Sequence, residues 1–293
     1  PQQCNSINKT MKRLYIIGNG FDLHHGIPSY YGCFKCYLKR TDCIDYIHIF
    51  EYLADENSLW SNVEKSLVTL DSSKFEKFIE LYKKIDVQQR GLPDYIARQN
   101  AIDTIYSSIG TLFREWINSL NFQGVNQKVN ICIEQSIFLN FNYTPTLEKV
   151  YKVSRNNIRY IHNTLDDELI FGHGLTDLEI DKHTGNINDA ELRTEFKSLM
   201  KALRKDTDGI IRKNQDFFNA LNGILEVFVL GHSLSDVDMP YFKQIKENVS
   251  SEALWTVSIY DDSSSKERSE KEARLNKIGI DSDRLKFKKL NEI

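Results

Sequence analysis

The sequence predicts an α/β protein with a doubly wound, mostly parallel sheet and helical insertions. Three observations carry this. Short runs of apolar, β-branched and aromatic residues recur along the chain, and each ends in a polar or glycine-rich turn. Such runs read as strands buried on both faces. Helical segments fall between several of them, the alternation expected of a parallel sheet. The polar residues of interest sit at the carboxyl ends of these runs, where ligands bind in such sheets.

The first run is Leu14 to Ile17 in "LYIIGNGFDLHHGIPSYYG". The glycines after it predict a tight turn where backbone comes close to something. Residues 45–126 follow as a helical insertion, with Phe75, Phe78, Ile79 and Tyr82 at helical spacing. The second run is "SIFLNFNYT", Ser136 to Thr144. Shorter strand-like runs lie at "IRYIHN", Ile158 to Asn163, and "LIFGHG", Leu169 to Gly174. A second helical insertion spans 189–222 and includes "FKSLMKALRK", whose basic face reads as solvated. The third run is "EVFVLGHSLSD", Glu226 to Asp236, and the fourth "WTVSIYDD", Trp255 to Asp262. A charge-rich helix ending at Gly279 and an edge strand in "LKFKKL" complete the chain. Residues 11–44 and 127–293 are thus expected to form the α/β domain.

Composition excludes several classes. Hydrophobic residues make up 41% and charged residues 27% of the 293, ordinary globular usage that permits a sizeable core. The net charge of -3 provides no basic field for nucleic acid or anionic lipid. No apolar run approaches the roughly 18 residues of a membrane span. The opening "PQQCNSINKT" lacks the apolar core of a signal peptide and reads as a tail or expression remnant ahead of Met11. A cytoplasmic protein without disulfides is expected. Cys33-x-x-Cys36 resembles half a zinc site, and Cys43 and His48 complete four ligands on paper. The spacing fits no strong zinc pattern, so small buried thiols on the first helix and no metal are expected.

Gly18-Asn19-Gly20 after a strand is a phosphate cradle in principle. The dinucleotide fingerprint also needs a third glycine, where Leu23 stands, and a later acidic residue, for which only Asp42 offers itself. The wider stretch "GNGFDLHHGIPSYYG" resembles the sirtuin pattern, with Gly18, Gly20, Gly26, Ile27, Pro28 and Gly32 in register and Tyr30 keeping the aromatic. "NFNYT" resembles the sirtuin motif with the catalytic Asn at Asn142, and "YIHN" the His-Gly motif with the catalytic His at His162. "VLGHSL" resembles the NAD-contacting Gly-Thr-Ser-Leu motif, with Ser233 matching. The whole set, with "FLNFNYTPTLE", "LIFGHG" and "VLGHSLSDVDMPYF", is similar to the bacteriophage abortive infection AbiH family. That family looks like a divergent branch of the sirtuin-like NAD-binding fold.

The resemblance implies a bacterial antiphage protein that binds NAD and hydrolyses it to nicotinamide and ADP-ribose. The transition state is an oxocarbenium ion, so the protein must position the acceptor and exclude stray water. Asn142 would bind ribose or the reacting water, and His162 would be the general base. Gly18, Asn19, Gly20, Phe21, Asp22, Pro28, Tyr30, Gly231, His232 and Ser233 would line the NAD site. Asp261 would accept from the adenosine ribose.

Bland rivals stand beside these. Asn142 could cap a helix near Thr144, and His162 could be a hydrogen-bonded core histidine. His173 or His232 could instead be the base. Asp22 could be a cap, or hold a ribose or a histidine, and at most one of His24 and His25 is expected to face the ligand. Asp236 and Asp238 would be supporting or interface residues. Tyr31 and Thr144 stand where sirtuins have Arg and Asp, and the zinc module is absent, so deacylation is not expected. The alternatives are a non-catalytic nucleotide-binding sensor or regulatory subunit, and a serine hydrolase around Ser233, which lacks the full nucleophile elbow. A homo-oligomer or a phage-derived trigger is the expected partner.

Overall fold

The computed structural model describes residues 12–41, 43, 51–53, 60, 63–167, 169–170, 172–260 and 265–293. The main elements, in order, are β1 (Arg13–Ile17), α1 (Asn19–His24), α2 (Tyr31–Arg40), α3 (Ser72–Arg90), α4 (Asp94–Ser119), β2 (Ser136–Asn140), α5 (Thr146–Lys149), β3 (Ile158–Tyr160), α6 (Asp177–Thr184), α7 (Ala190–Ala202), α8 (Thr207–Lys213), α9 (Gln215–Asn219), β4 (Glu226–Leu230), α10 (Met239–Asn248), β5 (Leu254–Ile259), α11 (Ser265–Lys277) and β6 (Leu285–Lys289).

The six strands form one sheet in the order β3-β2-β1-β4-β5-β6, and every pair is parallel. This is the doubly wound α/β architecture with its switch point at β1 and β4. Leu14, Ile16, Val227, Val229, Leu139 and Val257 are buried in the central strands, which is why these strands read as continuous apolar runs. Tyr15 stacks on Phe138 and on Phe228, its register partners on the two flanking strands.

The chain divides into two compact units. The first comprises residues up to 28, 121–163 and 207–293, and it contains the whole sheet. The second comprises 29–120 and 164–206 and is helical. The two insertions therefore make one body, with Phe75, Ile79, Phe196, Leu199 and Met200 in its core. Its Arg98 pairs with Glu195 at 2.6 Å and Glu80 at 3.1 Å.

These divisions differ from the expected boundaries of 11–44 with 127–293, 45–126 and 189–222. Helix α2 falls in the second unit, which begins after Pro28, while α8 and α9 belong to the sheet unit. Helical periodicity shows that a segment is helical but not which core its apolar face joins. The run Leu169 to Gly174 is not a strand of the sheet; His173 makes only an isolated bridge with Arg204. The amphipathic stretch at Phe196 is core on one face, and on the other Lys197 pairs with Asp181. No helix among the described residues is long and apolar enough to cross a membrane.

Candidate functional site

Four loops meet at the carboxyl end of the sheet. They follow β1, β2, β3 and β4 and carry Gly18–Gly20, Phe141–Thr144, His162 and Gly231–Asp238.

The glycines of the first and last loops serve each other. Gly18 N–H donates to Leu230 O at 2.9 Å, and Gly20 N–H to Gly231 O at 2.8 Å. A Cβ on Gly20 would lie 2.8 Å from Gly231 O, and one on Gly231 would lie 2.0 Å from Phe21 N. Gly231 also has a φ of +66°, a conformation that favours glycine. The close approach predicted by Gly-Asn-Gly is thus made by the chain's own β4 loop, and it occupies the Gly20 N–H.

The β2 loop is tied to the β1 loop. Phe141 N–H donates to Ile17 O, and the Asn142 side chain donates from Nδ2 to Gly18 O at 3.1 Å. Asn142 N–H is held by Asn140 Oδ1 at 3.0 Å. The helix α5 has Pro145 in the cap position with no side-chain cap bond, so Asn142 is not its cap. Asp22, fully buried on α1, accepts from the hydroxyls of Thr144 and Thr146, the latter at 2.6 Å. Burial raises its carboxyl to about 6, and the hydroxyl bonds hold it from rising further.

The third group is a buried histidine pair around a carboxylate. His162, His232 and Asp238 are 4%, 4% and 6% exposed. Asp238 Oδ1 lies 4.0 Å from His162 Nε2, and Oδ2 lies 3.6 Å from His232 Nε2. Ser235 Oγ donates to Asp238 Oδ2 at 2.7 Å. Phe141 meets both imidazoles edge-on, and Tyr241 and Phe242 close the other side.

The tautomers follow from the partners. His232 Nδ1 accepts from Leu234 N–H at 2.9 Å, so its neutral ring carries the proton on Nε2, toward Asp238. His162 Nδ1 faces Phe141 O at 3.2 Å and donates there, so its neutral Nε2 is a proton acceptor. The loops that carry them are unusual. Asn163 and Leu234 have φ of +65° and +56°. Asn tolerates this conformation, whereas for a buried leucine it costs on the order of 1–3 kcal/mol. Leu234 is held there by its N–H bond to His232 and by Arg274, which donates to its carbonyl.

The structure thus brings together Asn142, His162, His232 and the glycine turns. Others lie apart. Phe21 is fully buried, packed on His25 and Tyr151. His25 donates from Nδ1 to Phe21 O and accepts at Nε2 from Tyr151 Oη, both at 2.7 Å, so it is a core histidine. His173 belongs to the second unit, where Leu175 N–H and Met200 O hold both ring nitrogens. Burial lowers its basicity, and with Nε2–H facing Met200 O and Nδ1 accepting from Leu175 N–H neither nitrogen keeps a lone pair turned to a ligand. Tyr30 also belongs to the second unit, as the residue before α2. Asn19, Ser233 and Pro28 are exposed. Asp261, Cys4 and His48 lie outside the described residues, and Cys33, Cys36 and Cys43 are free thiols. Among the described residues no group of three or more His, Cys, Asp or Glu is arranged to hold a metal ion.

A family model described as bacteriophage abortive infection AbiH matches residues 14–259. The chain belongs to the AbiH family. The AbiH match begins on β1 and ends on β5, so it spans all four loops of the site. Membership points to a role in phage abortive infection. No curated protein and no solved structure matches the chain.

Sequence reasoning expected Asp238 as a supporting or interface residue, and the structure sets it between two imidazoles. It stands at the start of α10 with a backbone that is already helical (φ -95°, ψ -13°) and makes no side-chain cap hydrogen bond.

Proposed function

We propose that this AbiH protein acts in phage abortive infection by binding NAD, or a related nucleotide, across the carboxyl ends of β1 to β4 and hydrolysing its nicotinamide–ribose bond. The observation that carries the reading is the convergence of Asn142 and His162. Asn142 is fastened to Gly18 O, and His162 to Phe141 O, so two residues from separate motifs are fixed on one scaffold at the switch point. His162 takes the proton of the attacking water, and Asn142 orients ribose or water without adding charge.

The sirtuin-like part of the proposal is supported by one exchange. The sirtuin pattern has Ser where Asp22 stands and Asp where Thr144 stands. Here the carboxylate and the hydroxyl have traded positions, and the two side chains are hydrogen-bonded.

A second reading, a nucleotide-binding sensor, is favoured by the burial of Asn142, His162 and His232, which shields these side chains from an attacking water. Nicotinamide release from NAD by the purified protein, beside Asn142→Ala and His162→Ala, separates the two. Release lost in both variants is the expected result. Binding of NAD without release selects the sensor, and neither binding nor release removes the nucleotide site.

A further inference from the structure

We propose that Asp238 is the positioning carboxylate of this site. It faces the His232 Nε2–H as a charge contact at 3.6 Å and holds the charge that His162 gains when it takes a proton; the second half rests on the reading of His162 as proton acceptor.

Three independent features point the same way. The first is the direction of the carboxylate. The Asp238 backbone at the start of α10 is already helical (φ -95°, ψ -13°) and its side chain makes no cap hydrogen bond, and the carboxylate faces His162 and His232. The second is the pair of opposite tautomers. His232 offers Nε2–H to Oδ2 at 3.6 Å, whereas neutral His162 turns an Nε2 lone pair toward Oδ1 at 4.0 Å. Lone pair against carboxylate is repulsive. A proton on Nε2 converts the contact into an imidazolium–carboxylate pair, so the cluster is arranged for the state after proton uptake. The third is the setting. Phe141 and Phe242 wall the group, and a charge contact strengthens where water is excluded.

The proton balance is simple. Water or a hydroxyl gives one proton to His162 Nε2, and the pair goes from one negative charge to none. One carboxylate serves two imidazoles, so their titrations are coupled. Titratable groups that face His162 among the described residues include Asp238 and Tyr241 at α10, Tyr143 after β2, and His232 across the carboxylate. Arg274 and Asp236 form a 3.9 Å contact, with Arg274 bound to the Leu234 carbonyl.

The test is a histidine NMR titration of the full chain, wild type against Asp238→Asn. The expected result is a fall of about one pH unit or more in the His162 midpoint. An unchanged midpoint in folded Asp238→Asn overturns the proposal. Should that variant not fold, Ser235→Ala removes one hydrogen bond from Oδ2 and leaves the carboxylate charge less dispersed. The His162 midpoint then rises, and no rise overturns the proposal. Nicotinamide release measured on the same samples keeps the two ideas apart. A shift without turnover upholds Asp238 while the hydrolase reading fails, and turnover without a shift does the reverse.

Discussion

Asp22 and Asp238 are both buried at the carboxyl end of the sheet, and the chain treats them in opposite ways. Asp22 lies among hydroxyls, with Thr144 and Thr146 both donating to it. Asp238 receives one hydroxyl, from Ser235, and faces two imidazoles. Hydroxyls solvate a carboxylate at any pH and add no charge. Imidazoles change charge near neutrality, so the same buried group becomes part of a proton-handling cluster. The difference teaches that burial and side-chain type do not assign a role; the neighbours do.

The comparison can be broken outright at the point both regions share. Asp22 follows the Gly20 turn and Asp238 follows the Gly231 turn, and the two turns cross. Gly231→Ala puts a methyl 2.0 Å from Phe21 N at a φ of +66°. A loss of roughly 3 kcal/mol or more in urea denaturation is expected, since left-handed strain and overpacking add.

Asp22→Asn sharpens it through pH. The folded carboxyl keeps its proton to about pH 6, whereas the unfolded one releases it near 3.8. The stabilisation from this difference is full below the unfolded value and is lost as pH rises through the folded one. The wild-type advantage over Asp22→Asn should therefore shrink by about 2 kcal/mol between pH 4 and pH 7, measured by denaturation at each pH. A gap constant with pH would show that the two hydroxyls fully compensate burial.

Thr146→Val removes one of the two donors and leaves Thr144 in place. A loss of about 1–2 kcal/mol is expected at pH 7, and no loss would mean that Asp22 does not depend on the pair. Ser233→Ala has the smallest effect. Ser233 is exposed beside buried His232, so its removal should change stability by less than about 0.5 kcal/mol. Weaker NAD binding in this variant, by calorimetry, would show that the side chain touches the nucleotide.

Parallel strands buried on both faces announce themselves as unbroken apolar runs, and β1, β2, β4 and β5 were readable for that reason. The run at Leu169 was not distinguishable from them, because a short apolar run reads the same whether or not it pairs in a sheet. The site was readable where a motif put the residue type itself at a strand end, as with Asn142 and His162. It was not readable where the same residue type has a commoner local use. Asn142 had a cap as its plausible rival and does not cap α5, whereas Asp238 was expected only as a supporting or interface residue and its carboxylate faces two imidazoles. Side-chain direction at a helix start depends on what lies across the loop, and that is a tertiary fact.

The central strand has a consequence for how the protein is made. Arg13 pairs with Ser136 on one side and Glu226 on the other, so β1 leaves the ribosome long before either neighbour. At roughly 5–20 residues per second, β4 follows β1 by about ten to forty seconds. Until β2 emerges, about six to twenty-five seconds after β1, Leu14 to Ile17 is an unpaired apolar strand, a substrate for chaperones and a hazard for misassembly. The crossing of Gly20 and Gly231, and with it the histidine cluster, closes only when synthesis is well advanced. Whatever this site does, the nascent chain cannot do it early.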